Sequence, residues 1–138
     1  MMEDLIRLLH EGDHSLVVAN GDVCTFDGRG VSDLYNLFKE DPGFLKGASI
    51  ADKVVGKAAA ALMILGEVKE IFADIISQPA LDLFAHSEVR VSYGTVVPHV
   101  INRTKTGWCP LETRCRYCLT PQDCFSQIEG FITLQSKK

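Results

Sequence analysis

Four cysteines, Cys109, Cys115, Cys118 and Cys124, fall within sixteen residues in the pattern Cys-x5-Cys-x2-Cys-x5-Cys, while the fifth, Cys24, stands far away. Thiolates are soft ligands, and a Cys-x-x-Cys core is a familiar metal-knuckle spacing; four of them make a closed tetrahedral zinc site. The spacing of five on each side does not match the common iron–sulfur runs. Ordinary core filling does not gather four of five cysteines in so short a stretch. Zinc or an iron–sulfur cluster, redox-active or disulfide-forming thiols, and unrelated free thiols are the readings this pattern leaves open. An odd number of cysteines behind the acidic opening Met1-Met2-Glu3-Asp4, which no secretory signal resembles, favours thiols or metal ligands over a disulfide framework.

A second set of residues could hold an anion. Lys53 and Lys57 stand four apart beside Asp52 and Gly56. If they open a helix, the lysines share a face and unpaired N–H groups add partial positive charge. Asp52 as a cap with two solvated lysines is the plainer alternative. Ser77, ahead of Gln78-Pro79, either lines the same pocket or simply caps a helix. Arg103 suits bidentate phosphate recognition, and its neighbour Asn102 suits either a ligand or a turn. Cys109 is a candidate nucleophile and Glu112 a candidate proton shuttle. A nucleophilic thiol needs a base or a positive neighbourhood, which His99, Arg103 and Lys105 offer in sequence. Cys24 reads as a small buried hydrophobe, and His10 and His14 as surface residues.

The elements that must position these residues follow from periodicity and breakers. A first helix runs over about 2–10 and stops at Gly12. Strands at 15–19 and 23–26 flank an Asn20-Gly21 hairpin turn. A short helix follows Ser32-Asp33, with Leu34, Leu37 and Phe38 inward and Asp41-Pro42-Gly43 ending it. Val54, Val55, Ala58, Leu62 and Leu65 predict a helix over 51–65 with Gly66 at its C-cap. A buried strand over 68–77, a helix begun by Ser77 and Pro79, strands at 89–93 and 96–101, and an amphipathic helix from Pro121 to about Thr133 complete the chain. An antiparallel start followed by alternating helices and strands predicts a mixed sheet with helices on both faces.

Two stretches carry a family resemblance: Ala51-Asp52-Lys53-Val54-Val55-Gly56-Lys57-Ala58-Ala59-Ala60, and Asn102-Arg103 followed by Thr106-Gly107-Trp108-Cys109-Pro110-Leu111-Glu112. They resemble a small bacterial domain-of-unknown-function family whose fold is cytidine-deaminase-like, and the likeness covers nearly the whole chain. It implies a three-layer α/β/α deaminase-like domain over 1–138 with a mixed sheet, and a cysteine-rich appendage at about 109–124. True zinc deaminases carry His-x-Glu or Cys-x-Glu at the central helix and Pro-Cys-x-x-Cys at the next. Here the Asp52-Lys53 region and Ser77-Gln78-Pro79-Ala80 occupy those places, so the deaminase zinc ligands are missing from them. His86-Ser87-Glu88 with Cys115 and Cys118 imitates the pattern, but His86 should close a helix where the motif requires one to start.

The chain has 138 residues with 14 Lys and Arg against 18 Asp and Glu, a net charge of −4. That suits one domain and argues against a phosphate-tracking nucleic-acid surface. The longest apolar run, 58–65, is far short of the ~20 residues that span a bilayer. These readings point to a cytoplasmic protein with a small-molecule partner, and leave a homo-oligomer open. Three function classes follow: a module binding a small anionic, nucleotide-like or phosphorylated ligand; a cysteine-dependent enzyme using Cys109; and a zinc deaminase using His86, Glu88, Cys115 and Cys118.

Overall fold

The computed structural model describes residues 2–27, 32–98, 114–115 and 117–136. Helix α1 (Met2–Glu11) precedes the hairpin β1 (Leu16–Asn20) and β2 (Asp22–Phe26), whose tip Gly21 takes a positive φ of 83°, a conformation that costs glycine least. Helices α2 (Ser32–Glu40) and α3 (Pro42–Leu45) lead to β3 (Ser49–Val55) and α4 (Lys57–Leu65). Then come β4 (Glu70–Ser77), α5 (Gln78–Phe84), β5 (Arg90–Val97) and α6 (Pro121–Ser136).

The sheet order is β2-β1-β3-β4-β5. β1 runs antiparallel to both neighbours, and β3, β4 and β5 run parallel. This is the mixed sheet that the element order implies. Residues alternate between faces of a strand, so Val17 and Val18 enter different cores. On one face Leu5 and Leu9 of α1 pack with Val17, Ala19 and Ala51. The other face carries the larger core, shared by α2 to α6.

Helix α4 is the centre of that core. Residues 57–63 are all buried, as suits a helix apolar around most of its circumference. Its four consecutive alanines allow sheet and helices to approach closely. Helix α6 lies against α4 and is fixed from α2 by Phe125, which stacks on Tyr35 at 6.0 Å and meets Phe38 edge-on at 5.3 Å.

Three expectations are corrected. The helix predicted over 51–65 is a strand and a helix: Ser49–Val55 is β3, Gly56 caps, and only Lys57–Leu65 is helical. Val54, Val55 and Ala58 fit a helical period by coincidence, because β3 is the middle strand of the sheet, packs into the cores on both faces and loses its alternation. Asp52 and Lys53 therefore belong to β3, and Lys53 and Lys57 share no helix face. Second, Pro42 does more than end α2; it sits at the start of the short α3, where a missing N–H is harmless. Third, 96–97 continue β5 without a break, and 99–101 lie outside the described residues. Among the described residues no helix is long and apolar enough to cross a membrane.

Candidate metal centre

The two cysteines of the Cys-x-x-Cys pair are joined through their backbones. Cys115 follows Arg114 in a helical turn, and the Cys118 N–H donates to the Cys115 carbonyl at 3.0 Å. Thr120 then starts α6: its Oγ1 accepts from the Asp123 N–H at 3.1 Å and its carbonyl from the Cys124 N–H at 3.2 Å. Pro121 occupies the first helical position, where no N–H is needed. Cys124 thus sits in the first turn of α6 and returns towards Cys115.

The result is a cluster whose three sulfurs all lie within 4.8 Å of one another. Cys115 and Cys124 are fully buried and Cys118 is partly buried. None of Cys24, Cys115, Cys118 and Cys124 is in a disulfide. Zinc–sulfur bonds of about 2.3 Å in a tetrahedron place sulfurs roughly 3.8 Å apart. Closing on an ion of that size therefore needs a contraction of at most about 1 Å.

Burial and proximity set the protonation of the three thiols. The Cys124 thiol is pushed far above the ordinary thiol range, first by its side-chain hydrogen bond with Cys115 and then by burial. Burial also raises the Cys118 thiol, and neighbouring Cys124 raises it further. Thiolates this close and this dry repel one another, so they stay protonated until a metal ion takes the protons' place.

Lys57 brings a positive charge to the cluster from the head of α4. It is the first residue of α4, only 8% exposed, and its Nζ donates to the Cys118 carbonyl. Its charge opposes the upward shifts of both Cys118 and Cys124. On the solvent side, Cys118 borders a cavity of about 470 Å³ with Arg114, Tyr117, Asp123, Ser126 and Gln127. Arg114 is held by Gln127 Oε1 at 3.3 Å and lies over the Phe131 ring.

The other candidate residues are dispersed. Lys53 donates to Asp13 at 2.7 Å on the α1 side. Asp52 is half-buried on β3, and burial pushes its carboxyl up to about 7, with Asp74 adding repulsion. Ser77 is fully buried and caps α5, accepting from the Ala80 N–H at 3.3 Å. Asn102, Arg103, Cys109 and Glu112 lie outside the described residues, as do His99, Lys105 and Trp108. His86 and Glu88 precede β5, at the end of the parallel strands opposite to Lys57. Among the described residues they do not join the cysteines as a ligand group. His10, expected as a plain surface residue, donates to both Asp74 oxygens at 2.7 and 2.9 Å.

The links that sequence reasoning missed are Lys57 to Cys118 and the Tyr35–Glu129–Lys39 group, in which both Tyr35 and Lys39 donate to Glu129. A lysine at the head of an otherwise wholly apolar helix was the one available signal for the first.

No curated protein matches the chain. A crystal structure of a DUF1893 family protein (TM1506) from Thermotoga maritima is similar to it with a TM-score of 0.87 and 26% sequence identity, covering 94% of this chain and 88% of that one. The family model described as a domain of unknown function (DUF1893) matches residues 4–132. The chain, with its mixed five-stranded sheet and its cysteine cluster, belongs to the DUF1893 family.

Proposed function

We propose that this domain binds a thiophilic metal ion, zinc, through Cys115, Cys118 and Cys124. The observation that carries the reading is the three sulfurs within 4.8 Å at the junction of the cysteine turn, α6 and the head of α4. Cys109 is the sequence's candidate for a fourth thiolate, which would close the tetrahedron as in structural sites. In that role the metal staples the 109–124 segment onto α4 and α6. Zinc is preferred to an iron–sulfur cluster because the ligand spacing departs from the iron–sulfur runs.

The fold is read here as deaminase-like. Support comes from the order β2-β1-β3-β4-β5 and from helices that follow β3 and β4 directly. On that reading Lys57 and Ser77 stand at the two helix starts that carry zinc ligands in deaminases. The metal then lies next to the first of those helix starts, held by a different part of the chain. A small anionic ligand at those helix starts draws less support, since Asp13 engages Lys53 and the Cys118 carbonyl engages Lys57. Catalysis by Cys109 stays a separate proposal, tested by selective alkylation.

Cobalt(II) substitution tests the metal reading. Titrating the metal-free full chain is expected to give an intense thiolate-to-cobalt charge-transfer band and tetrahedral d–d bands that saturate at one equivalent. A spectrum of hexaaqua cobalt alone would overturn it.

A further inference from the structure

We propose that Lys57 is the positioning residue of the cysteine metal centre, holding the Cys118 turn to the head of α4 and balancing the negative charge of the bound thiolates. The inference rests on the metal reading and adds to it a group that is not itself a ligand.

Lysine is almost never buried without a partner. Lys57 is 8% exposed at the start of a helix whose next six residues are all buried and apolar. Its Nζ ends on the Cys118 carbonyl. That carbonyl belongs to one of the three cysteines, so the bond fixes the ligand's backbone while the sulfur stays available. A zinc ion with three thiolates carries a net charge of −1, and with four −2. Such charge is costly in a half-buried site unless a cation stands nearby. The Lys57 ammonium, bonded to the Cys118 carbonyl, sets a cation beside the ligands, while Asp123 lies with Cys118 on the solvent-side cavity. The first turn of α4, which has no side-chain cap, contributes partial positive charge in the same place.

Outer partners of this kind orient metal ligands, and removing one typically weakens metal binding about 10–100-fold. The test is zinc affinity, measured by competition with a chromophoric chelator on the full chain and on Lys57→Gln, Lys57→Met and Lys57→Arg. Lys57→Gln and Lys57→Met are expected to bind zinc roughly 10–100-fold more weakly, with Lys57→Arg close to the parent. The cobalt charge-transfer band should shift in Lys57→Gln and return in Lys57→Arg. If Lys57→Met does not fold, the Gln and Arg pair carries the test. Equal affinity in parent and Lys57→Gln overturns the role of Lys57 while leaving the metal centre standing. Equal weakening by Gln and Arg overturns the charge role. A parent chain that binds no metal overturns both proposals together.

Discussion

Lys57 and Cys118 stand 61 positions apart and are joined by a hydrogen bond from the lysine ammonium to the cysteine carbonyl. The bond links the apolar centre of the domain to the turn that presents its thiols. It makes the cysteine cluster part of the core's architecture, so changes to either end should be felt at the other.

Metal removal should therefore lower stability. Zinc at a hundred times its dissociation constant contributes about 2.7 kcal/mol, roughly 8–12 °C in Tm for a chain of this size. Calorimetry with and without a strong chelator checks this. An unchanged Tm would mean that the metal, if bound, does not hold the fold.

Cys124→Ser should abolish stoichiometric zinc binding, because Cys124 supplies the buried sulfur from α6. Cys24→Ser should leave it intact, because Cys24 lies on β2, outside the cluster. Metal analysis of the two purified variants, side by side, reads the difference.

Asp52 should make stability fall as pH rises. Its folded pKa of about 7 exceeds the ordinary carboxylate value, so between about pH 4 and 7 the native state binds more protons than the unfolded one. Ionisation is then penalised in the fold, fully so above about pH 7. Asp52→Asn should stabilise the domain at pH 8 by on the order of 1–3 kcal/mol, less than the full shift implies because the group is only half-buried, and by little at pH 4. Urea melts of parent and variant at both pH values measure the difference directly, so Glu129 and Asp13, which shift the opposite way, cancel.

Ile128→Ala should cost about 2–5 kcal/mol, since a fully buried side chain is lost from the α6 face of the core. Because α6 also carries Cys124 one turn earlier, zinc affinity should fall in the same variant. Chemical denaturation and chelator competition test the two halves separately.

The hairpin, α2, β4, α5 and α6 were legible because each is announced by its own chemistry. Asn20-Gly21 turns, Ser77-Gln78-Pro79 starts a helix, and Phe125 and Ile128 recur on one face. β3 was not, because Ile50 and Val55 enter the large core while Ala51 enters the small one, which erases the period of two. Gly56 was the breaker that separates it from α4, and the alanines beyond it hid the boundary. The cysteine cluster could be read from the Cys-x-x-Cys spacing, because a turn of that length brings both thiols to one side. Its dependence on Lys57 could not, since a contact 61 residues apart leaves no local pattern. Nor could the raised Asp52 carboxyl, which depends on what the fold packs around β3.

Metal content and thiol protection in the anaerobically purified chain test the metal centre most directly. About one zinc per chain is expected, with Cys115, Cys118 and Cys124 shielded from alkylation until a chelator removes the metal. Metal-free protein whose three cluster thiols alkylate at once on unfolding, with added zinc giving no protection in the native state, would contradict it.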